Sequence, residues 1–166
     1  GGSITNAGTI VSTAANALGI YAKMSPLGIL GVPVTTITNT GEIKLSDKGY
    51  GIFADNSIIA NSGNIAVDDP VSNHIIAIYG GKKSNITNTG GNISVGEGGI
   101  AFYGDNTKMT ISGGTFSTEK GTLIYVVEKF SNDSDATGQV ELVKTTGYYV
   151  FDGTKWKPFG NYEDTL

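Results

Sequence analysis

Five stretches of the chain repeat one another, and repeats of this length fold as stacked units, each burying its apolar side against its neighbours. They are Ile4-Thr5-Asn6-Ala7-Gly8-Thr9-Ile10, Ile37-Thr38-Asn39-Thr40-Gly41-Glu42-Ile43, Ile59-Ala60-Asn61-Ser62-Gly63-Asn64-Ile65, residues 86–93 with one insertion, and a weaker copy over 110–116. Each is followed by a small-apolar-aromatic block: Gly19-Ile20-Tyr21-Ala22, Gly51-Ile52-Phe53-Ala54, Ala77-Ile78-Tyr79-Gly80, Ala101-Phe102-Tyr103-Gly104 and Leu123-Ile124-Tyr125-Val126. A sixth block, Tyr149-Val150-Phe151-Asp152, follows Gly138-Gln139-Val140. From aromatic to aromatic the steps are 32, 26, 24, 22 and 26 residues. The apolar anchors Ile10, Ile43, Ile65, Ile93, Phe116 and Val140 advance by 33, 22, 28, 23 and 24. The two markers share one irregular period, and its excess falls between strand-like pieces, where loops grow.

Within a repeat the apolar positions alternate. Ile43 and Leu45 share one face and Glu42 and Lys44 the other, a period of two that predicts strand. Ile65 with Val67, Ile93 with Val95 and Val140 with Leu142 repeat the inner pair; Val11, Lys44, Ala66, Ser94, Ser117 and Glu141 form the outer column. Three short strands per repeat are expected, around Ile37, Ile43 and Ile52, and none can bury its apolar side alone. Stacked at about 4.8 Å, equivalent strands pair and the isoleucines close into a continuous core. The predicted fold is all-β: a parallel β-helix of about six coils of 22 to 33 residues. Residues 1–130 would form the coils, and 131–166 a last partial coil and a hairpin cap. A leucine-rich repeat requires a leucine ladder that is missing, and a propeller blade needs about 40 residues or more.

Composition removes other classes. Glycine fills 25 of 166 positions without a three-residue register and with only four prolines, which excludes collagen. The chain carries eleven lysines, fifteen acids and no arginine, for a net charge of −4, so nucleic acid and nucleotides are poor ligands. With no cysteine, disulfides, thiolate metal sites and cysteine nucleophiles drop out. No run of 18 apolar residues predicts a membrane span, and no signal peptide is expected at the start. Because the sequence opens Gly1-Gly2-Ser3, it is expected to be a segment of a longer protein.

The recurrent Asn-x-Gly reads as a tight corner, where both residues tolerate left-handed backbone. Stacking places Asn6, Asn39, Asn61 and Asn88 in one column, where the side-chain amides can bond along the axis. Asn-Thr-Gly-x-Ile followed by Gly-Ile-Tyr/Phe-Ala resembles the passenger repeats of large type V autotransporter adhesins of the fusobacterial type, over roughly residues 3–126. The resemblance implies a right-handed β-helix exported across the outer membrane to the bacterial cell surface or secreted, attaching to a surface protein or glycan of host cells or other bacteria. It supplies no binding residue. On this reading the segment is no enzyme, takes no cofactor or metal, inserts into no membrane and is monomeric.

Candidate recognition elements are then the outward side chains and the loops. In each aromatic block only one of two adjacent columns can face inward. The column of Ile20, Ile52, Ile78, Phe102, Ile124 and Val150 has apolar companions two residues earlier (Leu18, Tyr50, Ile76, Ile100) and is placed inside. Tyr21, Phe53, Tyr79, Tyr103 and Tyr125, with Phe151, would form an outward stripe, a structural ladder that also offers a surface to a sugar or protein. Among the loops, the apolar residues 23–33 are expected to fold onto the protein itself. Residues 68–74 hold the adjacent acids Asp68 and Asp69 and the sole histidine, His74. A carboxylate pair there is the basis of the alternative reading, a polysaccharide-cleaving lyase or hydrolase on the same fold. Residues 133–138 alternate oxygen-bearing side chains before a glycine, but Lys144 stands where a calcium loop needs a bidentate glutamate. Near the C-terminus, aromatic runs on either side of Asp152-Gly153 have the form of a hairpin.

Overall fold

The computed structural model describes residues 2–23, 35–68, 75–81, 84–105, 107–118, 121–127, 140–142, 148–151 and 156–159. All regular structure in it is strand. The first three repeats each give three strands: β1 (Ser3–Asn6), β2 (Thr9–Ser12) and β3 (Ala17–Ala22); β4 (Thr35–Asn39), β5 (Glu42–Leu45) and β6 (Gly49–Asp55); β7 (Ser57–Asn61), β8 (Asn64–Val67) and β9 (Ile75–Gly81). In the next two the first pair runs through the corner as one long strand, giving β10 (Asn85–Val95) with β11 (Ile100–Asp105) and β12 (Lys108–Thr118) with β13 (Thr122–Val127). Then come β14 (Val140–Leu142), β15 (Tyr148–Phe151) and β16 (Trp156–Phe159).

Every strand from β1 to β14 pairs in parallel with its equivalents, so the chain is a β-solenoid of stacked parallel sheets. One nine-stranded sheet bends to form two walls, and a five-stranded sheet in the order β13-β11-β9-β6-β3 forms the third. The register is the one the repeats predict. Ile10 pairs with Ile43, Ile43 with Ile65, Ile65 with Ile93 and Ile93 with Phe116. Ile37, Ile43, Ile52, Ile59, Ile65, Ile78, Ile86 and Ile93 are fully buried in one core, with Ile4, Ile10 and Phe116 packed at its ends. Toward the C-terminal end bulkier groups take over, and Phe102 meets Phe116 edge-on at 5.5 Å.

The asparagine column is a continuous buried ladder. The Nδ2 of Asn6 donates to the Oδ1 of Asn39 (2.8 Å), that of Asn39 to Asn61 (2.7 Å), and that of Asn61 to Asn88 (2.6 Å). Asn88 donates to the Gly113 carbonyl at 2.7 Å, because Ile111 occupies the next position of the column and ends it. Each amide thus satisfies the next, as burial requires.

The glycines of the same corner have a different cause from the one predicted. Asn6, Asn39, Asn61 and Asn88, with Gly8, Gly41 and Gly63, keep ordinary negative φ; only Gly91 (φ 82°) and Gly114 (φ 114°) are left-handed there. Contact between coils demands glycine instead. A Cβ on Gly41 would strike the Gly8 carbonyl oxygen, and one on Gly63 the carbonyl of Gly41.

Three further expectations are corrected. The fifth repeat begins at Met109, which pairs with Ile86. Val140 pairs with Met109 in the first wall and does not continue the Phe116 column. That register also removes Phe151 from the aromatic column. Phe151 follows Val140 by 11 residues, whereas 16 separate Ile37 from Phe53 and 20 separate Ile59 from Tyr79, too few for the remaining walls of a coil. The hairpin is present as a separate antiparallel pair of β15 and β16, with Phe151 opposite Trp156, so four residues connect the strands. Residues 24–33, 69–74, 133–138 and the Asp152-Gly153 turn lie outside the described residues.

Candidate binding face: the outward aromatic stack

The third wall carries the candidate site. Its strands do not alternate simply. In β9, Ile75, Ala77 and Ile78 join the core while Ile76 and Tyr79 do not, so the alternation slips at two successive inward residues, in the manner of a bulge. The same slip recurs in each rung, at Gly19-Ile20, Gly51-Ile52 and Ala101-Phe102. The small residue of each pair has little room. A Cβ on Gly19 would lie 2.7 Å from the Cγ2 of Ile43, and one on Gly51 2.5 Å from the Cγ2 of Ile65.

The slip decides which side chains face out. The predicted inward column, Ile20, Ile52, Ile78 and Phe102, is buried, and Ile124 packs partly against the core. The companions invoked for it are on the other side. Leu18 is 45% exposed, Tyr50 touches the outward rings, and Ile76 lies apart from the core cluster. Sequence reasoning therefore missed that this second column lies off the core cluster, with Leu18 exposed, Tyr50 and Ile100 half-buried and Ile76 buried. The signal for it was the glycine or alanine between the two apolar positions, which leaves space for two inward residues in a row.

Tyr21, Phe53, Tyr79, Tyr103 and Tyr125 are brought together as predicted, pairing rung to rung. Their rings stack nearly parallel, with centroids 5.5, 4.3, 5.0 and 5.2 Å apart and interplanar angles of 26°, 5°, 20° and 22°. The end rings are the open ones, Tyr21 at 48% and Tyr125 at 47% exposure, and the three between are half-buried. Tyr50 stands beside the stack, perpendicular to Phe53 (5.2 Å, 89°) and Tyr79 (6.2 Å, 88°).

This packing sets what the face can do. Neighbouring rings occupy one another's faces, so the stack shows solvent its edges and hydroxyls. One flank is acidic. A Cβ on Gly81 would be 2.5 Å from Oδ1 of Asp55 and 2.9 Å from the Tyr79 hydroxyl, so carboxylate and phenol share the notch that this glycine leaves. Burial first, then the charges of Asp55 and Asp105, push the Tyr79 hydroxyl up to about 12. Burial, the Tyr125 phenol and Asp105 raise that of Tyr103.

The other candidates do not form a site among the described residues. Asp68 is exposed at the end of the second wall, and no three His, Cys, Asp or Glu side chains there gather in a way that could hold a metal ion. No protein-family model, curated protein or solved structure matches the chain.

Proposed function

We propose that this chain is a non-enzymatic structural and adhesive segment of a bacterial surface autotransporter passenger, displayed at the cell surface or secreted. In this reading it is a right-handed β-helix of about six coils, roughly 29 Å long at the strand spacing. β14 begins the last coil, and the β15–β16 hairpin caps it, protecting strand edges that otherwise invite association. The segment acts as a monomeric spacer whose outward face and loops meet a protein or glycan on host cells or other bacteria.

The observation that carries this reading is the aromatic face: five stacked rings beside a second apolar column, on a scaffold whose other outward columns are mostly polar. Aromatic surface of this kind, half-buried along its middle and open at Tyr21, Tyr125 and Leu18, suits an interaction site. Holding three of its rings half-buried gives the face a fixed shape before any partner arrives, which lowers the ordering cost of binding.

The test is attachment. Beads coated with the purified chain are expected to bind host cells or bacteria above bare beads, and Tyr21→Ser with Tyr125→Ser, at the two open ends, to reduce binding. Absence of binding to any cell type tested would count against the adhesive role. Cleavage of a polysaccharide that disappears when Asp68 and Asp69 are replaced would favour an enzyme instead.

A further inference from the structure

We propose that the outward aromatic stack binds an elongated, flat, cationic aromatic molecule lying along the solenoid axis, across the ring edges of Phe53, Tyr79 and Tyr103. The inference rests on the attachment reading in one respect, that this is the face which receives a partner, and it names the chemistry received.

Along the middle of the stack, geometry disfavours the usual alternative. A pyranose is held by laying its C–H face on an open aromatic face, and the faces of Phe53, Tyr79 and Tyr103 are filled by ring neighbours 4.3 to 5.5 Å away, which leaves open faces only at the Tyr21 and Tyr125 ends. What remains is a row of edges. Ring edges carry the positive part of the aromatic quadrupole and favour the electron-rich face of another π system, in perpendicular contact. Tyr50 already makes that contact with Phe53 and Tyr79. A flat ligand would repeat it along the stack. Phe53, Tyr79 and Tyr103 span two rung spacings, about 10 Å, so the site suits a molecule of two or three conjugated rings in line and gives little to a single compact ring.

Charge completes the specification. Asp105 follows Tyr103 by two residues and is half-buried beside the stack, whereas Asp55, two residues after Phe53, is buried and already engaged within the fold. Asp105 is thus the carboxylate a ligand can reach, and its charge bears on the Tyr79 and Tyr103 hydroxyls. Lys23 follows Ala22, which pairs with Ala54, so a positive charge stands at the Tyr21 end. The cationic end of the ligand is therefore drawn toward Asp105.

Thioflavin T, a planar benzothiazolium cation, is the probe, titrated into the full chain with fluorescence readout. Saturable binding with enhanced emission is expected, undisturbed by a linear gluco-oligosaccharide. Tyr79→Leu combined with Tyr103→Leu should weaken binding about tenfold or more, since two edge contacts are lost. Asp105→Asn should weaken it about threefold and flatten its salt dependence. Failure of the wild-type chain to bind, or unchanged binding by the double variant with a native circular dichroism spectrum, overturns the proposal. If the double variant does not fold, Asp105→Asn and Phe53→Leu decide, and two unchanged affinities overturn it. Cell attachment that depends on the tyrosines, found together with no dye binding, would sink this inference and leave the adhesive role standing.

Discussion

Replacing Asn39 by leucine would leave the Oδ1 of Asn61 without its donor in a fully enclosed interior, because the ladder runs in one direction and each amide serves the next. One orphaned buried acceptor costs about 1–3 kcal/mol. Asn6→Leu orphans the enclosed Oδ1 of Asn39 in the same way and should cost a comparable amount. Urea unfolding of the two variants checks this, and a negligible loss in either would contradict the ladder. The inner and outer faces of β5 offer a sharper contrast one residue apart. Ile43 is fully buried and Lys44 exposed, so Ile43→Asp should lower stability by several kcal/mol, on the order of burying an unpaired carboxylate, while Lys44→Asp stays near neutral. Similar midpoints for both would show the faces to be wrongly assigned. At this scale the sequence was readable where chemistry and period coincide, as in the Asn column and the Ile-x-Leu alternation. The corner glycines were misread because two causes, positive φ and close coil contact, select the same residue, and only the stacked neighbour tells them apart.

Strands of the third wall show what alternation alone misses. A period of two assigns Leu18 and Tyr50 to the same side as Ile20 and Ile52, yet two consecutive inward residues put them outside. The aromatic stripe was nonetheless legible, since its residues recur at one place in every rung whichever way their neighbours point. Its acidic flank was not legible, because Asp55 and Asp105 become neighbours of Tyr79 only after the coils stack. That flank has a pH consequence. Folded Tyr79 holds its proton to about 12, whereas an unfolded tyrosine releases it near 10. The unfolded chain therefore binds fewer protons at high pH. The stabilisation from this group is complete below pH about 10 and is lost as pH rises from about 10 toward 12. Tyr103, raised in the same direction, adds to the decline. Tyr79→Phe should make the loss of stability with alkali shallower than in the wild-type chain, as read from denaturation midpoints across that range. Superimposable profiles would remove Tyr79 from the explanation.

Across the whole molecule, the solenoid follows from one requirement, that no repeat can bury its isoleucines except against the repeats above and below. Parallel stacking and most of the register were legible in the irregular period, because loops absorbed the length changes except the extra residue that β10 and β12 take up inside the strand. Legibility fell where the repeat marker weakened. Val140 matches either apolar column by composition, and the backbone register alone assigns it to Met109. The candidate site was legible only as a surface property, since a repeated scaffold writes its sequence for stacking and leaves any recognition to what the stack exposes. Register is thus the central claim, and a chain with no cysteine allows a direct test. Lys44 and Ala66 are paired outward neighbours in adjacent rungs, at a separation suited to a disulfide; Ser94 lies one rung further, beyond reach. Mild oxidation should cross-link the Lys44→Cys, Ala66→Cys variant rapidly and leave the Lys44→Cys, Ser94→Cys variant reduced, whereas rapid closure of the second pair and none of the first would contradict the stacking described.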